Sequence, residues 1–215
     1  MRIIAVLNQK GGSGKSTLAL ALAGTLGLQG HKVLLADADS QGTSTQAGSE
    51  PGQPFEVVNV SAEGRRLATA LRKLGAGHDF VIVDGPPSVS NALTEVALAE
   101  AELCLVPVRP SGPDLFATTT MLKLIETVQS TVNQKLAARM VITQAARTNL
   151  ASQVIEALRG FNVPLLTAQM GSRAAYPESQ LRGVPVQNLG AAAKPASLEV
   201  EAITAEVLSI LGELK

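Results

Sequence analysis

The chain has 215 residues, enough to bury a substantial hydrophobic core without disulfides or a structural metal. Aromatic residues make up 2% of it and tryptophan does not occur, so we expect no base-stacking platform for single-stranded nucleic acid. Cys104 has no partner cysteine, and His31 and His78 are too few and too scattered for a zinc site. No apolar run approaches the roughly 20 residues that span a bilayer. The composition therefore predicts a soluble, cytoplasmic protein.

Strand and helix patterns alternate along the chain. Apolar runs predict strands at 2–7, 32–37, 55–60, 80–84, 103–108 and 138–143, with a weaker one at 163–167. Helical periodicity predicts helices at 15–28, 62–75, 91–101, 115–130, 149–160 and 197–214. This alternation is typical of an α/β fold in which a mainly parallel, twisted sheet is covered by helices on both faces. No repeat or low-complexity linker interrupts the pattern, so we expect a single domain over residues 1–215.

The first strand leads into a glycine-rich loop, N-Q-K-G-G-S-G-K-S-T, at residues 8–17. Glycines let successive backbone N–H groups point at one anion, and the N-terminus of the next helix adds favourable partial charge. In such a loop Lys15 can reach the β- and γ-phosphates, and the Ser16 hydroxyl can ligate Mg²⁺. The loop predicts binding of a nucleoside triphosphate. Its predicted contacts are Lys10, Gly11, Gly12, Ser13, Gly14, Lys15, Ser16 and Thr17.

The loop departs from the common phosphate-loop pattern at its start, where Gln9 replaces the usual glycine and Lys10 follows. A lone loop lysine is most often only solvated. The whole pattern K-G-G-x-G-K-[ST], however, resembles the deviant Walker A ATPases, the family of the ParA and MinD proteins. That resemblance implies a P-loop NTPase fold and a homodimer formed on ATP binding. It also implies that Lys10 crosses to the partner's nucleotide, so that Lys10 and Lys15 both serve catalysis.

The second predicted strand ends in D-A-D-S-Q-G, which places Asp37 and Asp39 at the same sheet edge as the glycine-rich loop. An isolated D-x-D most often only caps the following turn. Here it resembles the D-x-D-P-Q switch I segment of the ParA family, with Ser40 in place of the proline. The resemblance implies that Asp39 orients the attacking water and that Asp37 supports the Mg²⁺ shell. We therefore include both carboxylates, with Ser16, in the predicted metal site.

A third motif follows the strand at 80–84, where F-V-I-V-D-G-P-P reads as a Walker B segment. Phosphate-loop NTPases need a carboxylate here to hold Mg²⁺ and offset the charge of the phosphates. An apolar run followed by an acid is common in proteins. The Walker B interpretation therefore depends on the order and spacing of this motif after the glycine-rich loop and the D-A-D-S-Q-G segment. It adds Asp84 to the predicted metal site.

Two later segments complete the predicted nucleotide site. The segment P-V-R-P-S from Pro107 to Ser111 resembles the family's P-V-x-P-S, although such prolines can simply end an edge of the sheet. Gln144 follows the strand at 138–143, at the place where relatives contact the adenine. We therefore predict cofactor contacts from Pro107 and Gln144. Because no N-K-x-D guanine-reading tetrad occurs, ATP is favoured over GTP.

Charge is unevenly distributed although the formal net charge is zero. Residues 135–194 carry 7 Lys/Arg against 2 Asp/Glu, whereas residues 1–134 carry 10 against 12 and residues 195–215 carry 1 against 4. Clustered basic residues can neutralise DNA phosphates without reading bases. The candidate DNA contacts are Arg147, Arg173, Arg182 and Lys194, for which ordinary solvated surface charge is an equally good interpretation.

The resemblance implies a biological role but leaves several versions of it open. With its first strand at residue 2, the chain is most similar to short ParA relatives that lack an N-terminal helix-turn-helix. This predicts a nucleoid-associated ATPase that binds DNA non-specifically and segregates a plasmid or chromosome, with hydrolysis stimulated by a ParB-like or other cargo-bound partner. The alternatives are a related ATPase that positions a carboxysome or chemoreceptor cluster, and a MinD-like membrane-associated ATPase.

Two of the competing roles find little support in the residues. A MinD-like role needs a basic amphipathic C-terminal helix, but the polar face of the predicted tail helix is acidic, so we expect its apolar stripe to pack on the sheet. We therefore expect no stable membrane association. A metabolic enzyme on the same scaffold is also disfavoured. Cys104 alone cannot supply the cluster ligands of a nitrogenase-type iron protein, and no extra acid, base or substrate loop beyond the switch segments indicates a small-molecule ligase.

Overall fold

A computed structural model describes residues 1–146 and 148–214 and builds them around a six-stranded parallel sheet. The strands are β1 (Arg2–Val6), β2 (Val33–Asp37), β3 (Glu56–Asn59), β4 (Phe80–Asp84), β5 (Leu103–Val108) and β6 (Ala137–Ile142). Their order across the sheet is β3-β2-β4-β1-β5-β6, and every pair is parallel. β2, β4 and β5 are buried throughout, as expected for strands covered on both faces. The predicted α/β fold is confirmed.

Helices cover both faces of this sheet. They are α1 (Lys15–Leu28), α2 (Thr43–Gly48), α3 (Leu67–Leu74), α4 (Ala92–Glu100), α5 (Gly112–Thr131), α6 (Asn149–Arg159), α7 (Ala175–Arg182) and α8 (Lys194–Glu213). Apolar residues of α3 to α6 form one core with one face of the sheet, and those of α1 and α8 form a second core with the other face. Side chains alternate along β1, so that Ile4 and Val6 enter one core while Ala5 and Leu7 enter the other.

The described structure differs from the sequence prediction in four elements. The segment 163–167 is not a strand: Met140 binds the Pro164 carbonyl and Leu166 binds the Met140 carbonyl, but Pro164 has no N–H and the pairing stays an isolated bridge. The helices α2 and α7 were not predicted, because both are short and too polar to show an apolar period. The start of the predicted helix 62–75 is a 3₁₀ turn at Gly64–Arg66.

The C-terminal helix α8 packs its apolar stripe into the second core, as predicted. Val200, Ile203 and Val207 are fully buried and Leu211 is 3% exposed. In the part of the chain that the structure describes, no helix combines the length and the apolar character needed to cross a membrane.

The sheet topology brings the predicted motifs to one edge. Parallel strands end at the same edge, so the segments after β1, β2, β4, β5 and β6 converge there. The register is direct: Asp37 at the end of β2 pairs with Asp84 at the end of β4, and Asp84 pairs with Val6 just before the glycine-rich loop. Two carboxylates therefore lie beside the loop on neighbouring strands.

Candidate nucleotide site

The loop between β1 and α1 has the backbone shape of an anion cradle. Gly12 and Gly14 adopt left-handed conformations with φ of 73° and 94°, which L side chains rarely adopt. A Cβ on Gly14 would also lie 3.2 Å from Thr143 Cβ, so both backbone and packing favour glycine there. Gly14 is the N-cap of α1, and no described side chain caps this helix. The amides of the first turn are therefore available to an anion.

Lys15 lies inside the cradle and is 6% exposed. Its Nζ donates to the carbonyl oxygen of Lys10 at 3.2 Å, a neutral partner within the loop itself. Burial lowers the pKa of Lys15, while the nearby carboxylates of Asp84 and Asp39 oppose this. A phosphate in the cradle would give this buried ammonium group the full counter-charge that a carbonyl oxygen does not.

Asp84 is a fully buried carboxylate with one unsatisfied oxygen. Its Oδ2 accepts a 2.6 Å hydrogen bond from Ser44 Oγ, whereas Oδ1 has no hydrogen-bond partner among the described residues. Burial raises the pKa of Asp84 to about 6, while the hydroxyl groups of Ser44 and nearby Ser16 and the Lys15 ammonium group oppose this. A buried orphan oxygen beside a phosphate cradle fits a bound cation or its water.

Asp37 and Asp39 differ in their surroundings. Asp37 is buried, its Oδ1 accepts the Asp39 amide at 3.1 Å, and its Oδ2 accepts the Thr45 amide at 2.7 Å and the Thr45 hydroxyl at 2.8 Å. These bonds make Asp37 the residue that shapes the turn between β2 and α2. Asp39 is half-buried at the site, and its Oδ1 accepts the Gln41 amide at 3.0 Å. Asp39 is thus the carboxylate of the two that is open to a water molecule.

The segments after β5 and β6 brace the loop from the other side. Asn8 Nδ2 donates to the Pro107 carbonyl at 2.8 Å, so Pro107 contacts the loop through its backbone from a buried position. Thr143 Oγ1 donates to the Ser13 carbonyl at 2.7 Å, and Gln144 Nε2 donates to the Gly12 carbonyl at 3.2 Å. Gln144 holds a left-handed backbone with φ of 51°, which is uncommon outside glycine.

A cavity of about 290 Å³ opens beside the loop. Gln144 lines it, whereas Pro107 does not. The cavity's remaining wall comes from a part of the chain that we did not predict to be functional, the segment 170–180 with α7. The lining residues from that segment are Met170, Gly171, Ser172, Arg173, Tyr176, Pro177 and Gln180, and those from the loop side are Gly14, Thr17, Thr143 and Gln144.

Glu199 of α8 holds this second wall in place. Its carboxylate accepts from Arg173 Nε at 2.8 Å and Nη2 at 2.6 Å, from the Tyr176 hydroxyl at 2.7 Å and from the Gly171 amide at 3.0 Å. Burial alone would raise the pKa of Glu199, but these hydrogen bonds outweigh it and lower the pKa. Sequence reasoning missed Glu199, because its partners lie more than 20 residues away and no local motif links them. The sequence offered one clue to this wall of the cavity, since Tyr176 is the sole tyrosine of the chain.

Comparison with known proteins agrees with this geometry. A family model described as the CobQ/CobB/MinD/ParA nucleotide binding domain matches residues 4–186. The chain belongs to this family. It is 35% identical to the Halothiobacillus neapolitanus protein named maintenance of carboxysome distribution protein A over 212 residues, or 95% of each chain. It is also 35% identical to the Thermus thermophilus chromosome-partitioning ATPase Soj over 190 residues, or 74% of this chain and 76% of Soj.

Solved structures show the same ParA/MinD fold. An ATP complex of a Cyanothece McdA variant superposes with a TM-score of 0.78 at 17% identity, covering 99% of this chain and 96% of the other. Other structures with this fold hold ADP and magnesium. These ligands agree with the predicted cofactors, ATP and Mg²⁺.

The four predicted DNA contacts of this ParA/MinD-family chain have different surroundings. Arg147 lies outside the described residues. Arg173 pairs with Glu199 in the cavity wall, and Arg182 Nη2 pairs with Glu178 Oε1 at 2.7 Å on α7. Lys194 is exposed at the start of α8. The described structure shows no contact that joins Arg173, Arg182 and Lys194 into one patch, and two of the three are already paired with glutamates.

Proposed function

We propose that the chain is a single nucleotide-binding domain and acts as a cargo-positioning ATPase. ATP binding joins two copies face to face, the dimer binds DNA without sequence preference, and a cargo-bound partner stimulates hydrolysis and release. The observation that carries the proposal is the state of the two loop lysines: Lys15 is buried in its own cradle, whereas the side chain of Lys10 lies at the rim and is 28% exposed. Lys15 suits a phosphate of its own subunit, and Lys10 suits one on a second copy.

The proposed chemistry assigns a role to each acid at the site. The Ser16 hydroxyl and the orphan Oδ1 of Asp84, through water, would hold Mg²⁺, which neutralises charge on the phosphates when bound. Asp39 orients the attacking water, because its carboxylate is accessible and close enough to Lys15 to affect the lysine's pKa. Asp37 supports this arrangement through the turn that it shapes. Its role in the metal shell is then indirect.

The adenosine is proposed to occupy the cavity beside the loop. Gln144 lies at the cavity's junction with the loop, and Tyr176 and Pro177 offer apolar surface on the opposite wall. Pro107 acts through Asn8 on the loop. Ligand sites of this kind combine apolar walls with a few fixed polar groups.

For DNA, the exposed Lys194 is the favoured contact, with Arg182 next, because its partner Glu178 is itself partly exposed. Exposed pairs of this kind are weak and open readily. Arg173 is a poorer candidate, since Glu199 neutralises it inside the cavity wall. Nucleoid association is part of the same proposal.

The extent of similarity favours a protein-based cargo. Two relatives named for carboxysome distribution align with 95% and 96% of this chain, while the partition ATPases align with 74% to 86%. A carboxysome or similar protein body is therefore the first proposal for the cargo. A plasmid or chromosome is the second, supported by the identity of 35% to Soj.

The first test measures dimer formation by analytical ultracentrifugation with ATP, with ADP and without nucleotide. Lys15→Ala should lose nucleotide binding, whereas Lys10→Ala should bind ATP as a monomer and fail to dimerise. Lys32→Ala removes an exposed lysine at the opposite sheet edge and serves as the matched control. Normal dimers from the Lys10 variant would contradict the proposed function.

The second test measures binding to random-sequence duplex DNA across a salt series. We expect binding only with ATP and a steep loss of affinity as salt rises. Gene deletion in the host then separates the cargoes: uneven carboxysome distribution supports the first, and loss of a replicon supports the second. An ATP-dependent dimer that binds no DNA at low salt would remove the DNA tether from the proposal.

A further inference from the structure

Asp114, near the start of α5, is a fully buried carboxylate that two cations share. Its Oδ2 accepts from Lys10 Nζ at 2.9 Å and from Arg109 Nη2 at 3.1 Å, and its Oδ1 accepts from Arg109 Nε at 3.2 Å. The Ser111 hydroxyl also donates to Oδ2. Burial alone would raise the pKa of Asp114, but these hydrogen bonds lower it. The carboxylate is therefore ionised and fully paired within its own subunit.

An ordinary helix cap does not explain this arrangement. Ser111 is the N-cap of α5, and Asp114 holds the N3 position, where a capping-box acid would accept the N-cap amide. The Ser111 amide instead donates to the Arg109 carbonyl at 2.8 Å. The Asp114 carboxylate is thus directed to Lys10 and Arg109. Helix capping accounts for the position of Asp114 and leaves its two cationic partners unexplained.

The same contacts connect the phosphate loop to α5. Besides the Lys10 pair, Gln9 Nε2 donates to the Ala117 carbonyl at 3.0 Å. Arg109 extends along the loop, with its Nη1 3.9 Å from the place that a Cβ on Gly12 would occupy. The side chains of Lys10 and Arg109 are 28% and 31% exposed, so both cations lie at the rim of the site.

We propose that Asp114 is a positioning residue that holds Lys10 against its own subunit until a second, ATP-bound copy presents its phosphates. Arg109 keeps the buried carboxylate paired after Lys10 leaves, so that the transfer exposes no uncompensated buried charge. This inference rests on the proposed dimer, in which Lys10 reaches the partner's nucleotide. Within each subunit the Asp114 carboxylate competes with the partner's phosphates for Lys10 and so restrains dimerisation.

The shared carboxylate predicts opposite effects on dimerisation for substitutions of Asp114 and of Arg109. Asp114→Asn removes the competing charge in both subunits, so the ATP-dependent dimer should form with a dissociation constant about 30-fold lower. That change corresponds to ~1 kcal/mol for each of the two partly exposed ion pairs that the dimer breaks. Arg109→Gln leaves Asp114 to Lys10, so Lys10 is held more strongly in both subunits and the dissociation constant should rise by up to about 30-fold.

The experiment measures dimer dissociation constants with ATP by sedimentation for the two single variants and the double variant. In this proposal Arg109 acts on Lys10 through the carboxylate, so the double variant should behave like Asp114→Asn alone. Glu100→Gln removes a carboxylate paired with Arg72 at the opposite sheet edge and is the matched control. Melting temperature and ADP affinity report whether each variant is folded.

A second readout follows the Lys10 amine directly. Mass spectrometry of nucleotide-free protein treated with an acylating reagent should show Lys10 reacting several-fold faster in Asp114→Asn than in the unaltered chain or in Glu100→Gln. A folded Asp114→Asn protein with unchanged Lys10 reactivity and unchanged or weaker dimerisation would overturn this inference alone. Absence of any ATP-dependent dimer in the unaltered chain would overturn the proposed function as well.

Discussion

Replacing Asp84 by asparagine should stabilise the nucleotide-free fold while damaging the site. The ionised carboxylate is fully buried, one of its oxygens has no partner in the described chain, and burial raises its pKa from 3.8 to about 6. Each pKa unit corresponds to about 1.4 kcal/mol, so keeping this group ionised in the empty site costs about 3 kcal/mol. Asparagine has nearly the same shape and carries no charge. About 3 kcal/mol is therefore an upper bound on the gain.

The pH dependence gives the sign of this effect. Between pH 3.8 and about 6 the folded protein binds the Asp84 proton more tightly than the unfolded chain does. The contribution of Asp84 to the free energy of unfolding therefore falls as pH rises through this window, and the loss is complete above it. The advantage of Asp84→Asn should accordingly be largest above pH 7 and small near pH 4.

The assay is urea and thermal unfolding of nucleotide-free protein in EDTA, at pH 4.5 and pH 7.5. For a chain of this size, about 3 kcal/mol corresponds to about 6–12 °C in melting temperature. Asp37→Asn is the matched control: it is equally buried, but its oxygens accept three hydrogen bonds, so it should destabilise the fold by about 1–3 kcal/mol. Equal effects of Asp84→Asn at both pH values would refute this reasoning.

Three further predictions concern catalysis, the cavity and DNA. Asp39→Ala should give an ATP-bound dimer that persists, and phosphate release at the normal rate would show that Asp39 is not the catalytic acid. Glu199→Gln should weaken ATP affinity about ten-fold, measured by isothermal titration calorimetry, because it loses charged hydrogen bonds worth about 1.5 kcal/mol. The control Glu213→Gln changes an exposed residue and should leave the ATP affinity unchanged. Lys194→Glu combined with Arg182→Glu removes two candidate phosphate contacts from each subunit of the dimer, so the slope of log affinity against log salt should fall in magnitude by about 4; an unchanged slope would remove both residues from the DNA surface.

Sequence alone predicted the loop side of the site because its residues follow strand ends. Each parallel strand ends at the same sheet edge, so an apolar run followed by Asp37 or Asp84 places the carboxylate without knowledge of tertiary contacts. The glycines of the loop are similarly informative, since left-handed backbone and close packing at Gly14 leave few other residues acceptable.

The opposite wall of the cavity could not be predicted in this way. Tyr176 and Arg173 reach their positions only because Glu199, on a helix that follows two 3₁₀ turns, accepts their hydrogen bonds. Such tertiary pairing leaves no period or spacing in the sequence. The same applies to Asp114, which lies three residues after the P-V-R-P-S segment: that motif gave no sign that the Asp114 carboxylate binds Lys10.

The two lysines of the loop differ in their partners, since one pairs with a carboxylate and the other does not, and this difference implies an order of events. Lys15 is buried and donates to a neutral carbonyl oxygen. Asp84 and Asp39 lie near it, but in the described chain Lys15 makes no hydrogen bond to a carboxylate. It therefore gains most from its own nucleotide. Lys10 is already paired with an ionised carboxylate, so it gains from a phosphate only when that phosphate competes with Asp114. Nucleotide binding within a subunit should accordingly precede dimerisation, and each step is driven by a different lysine.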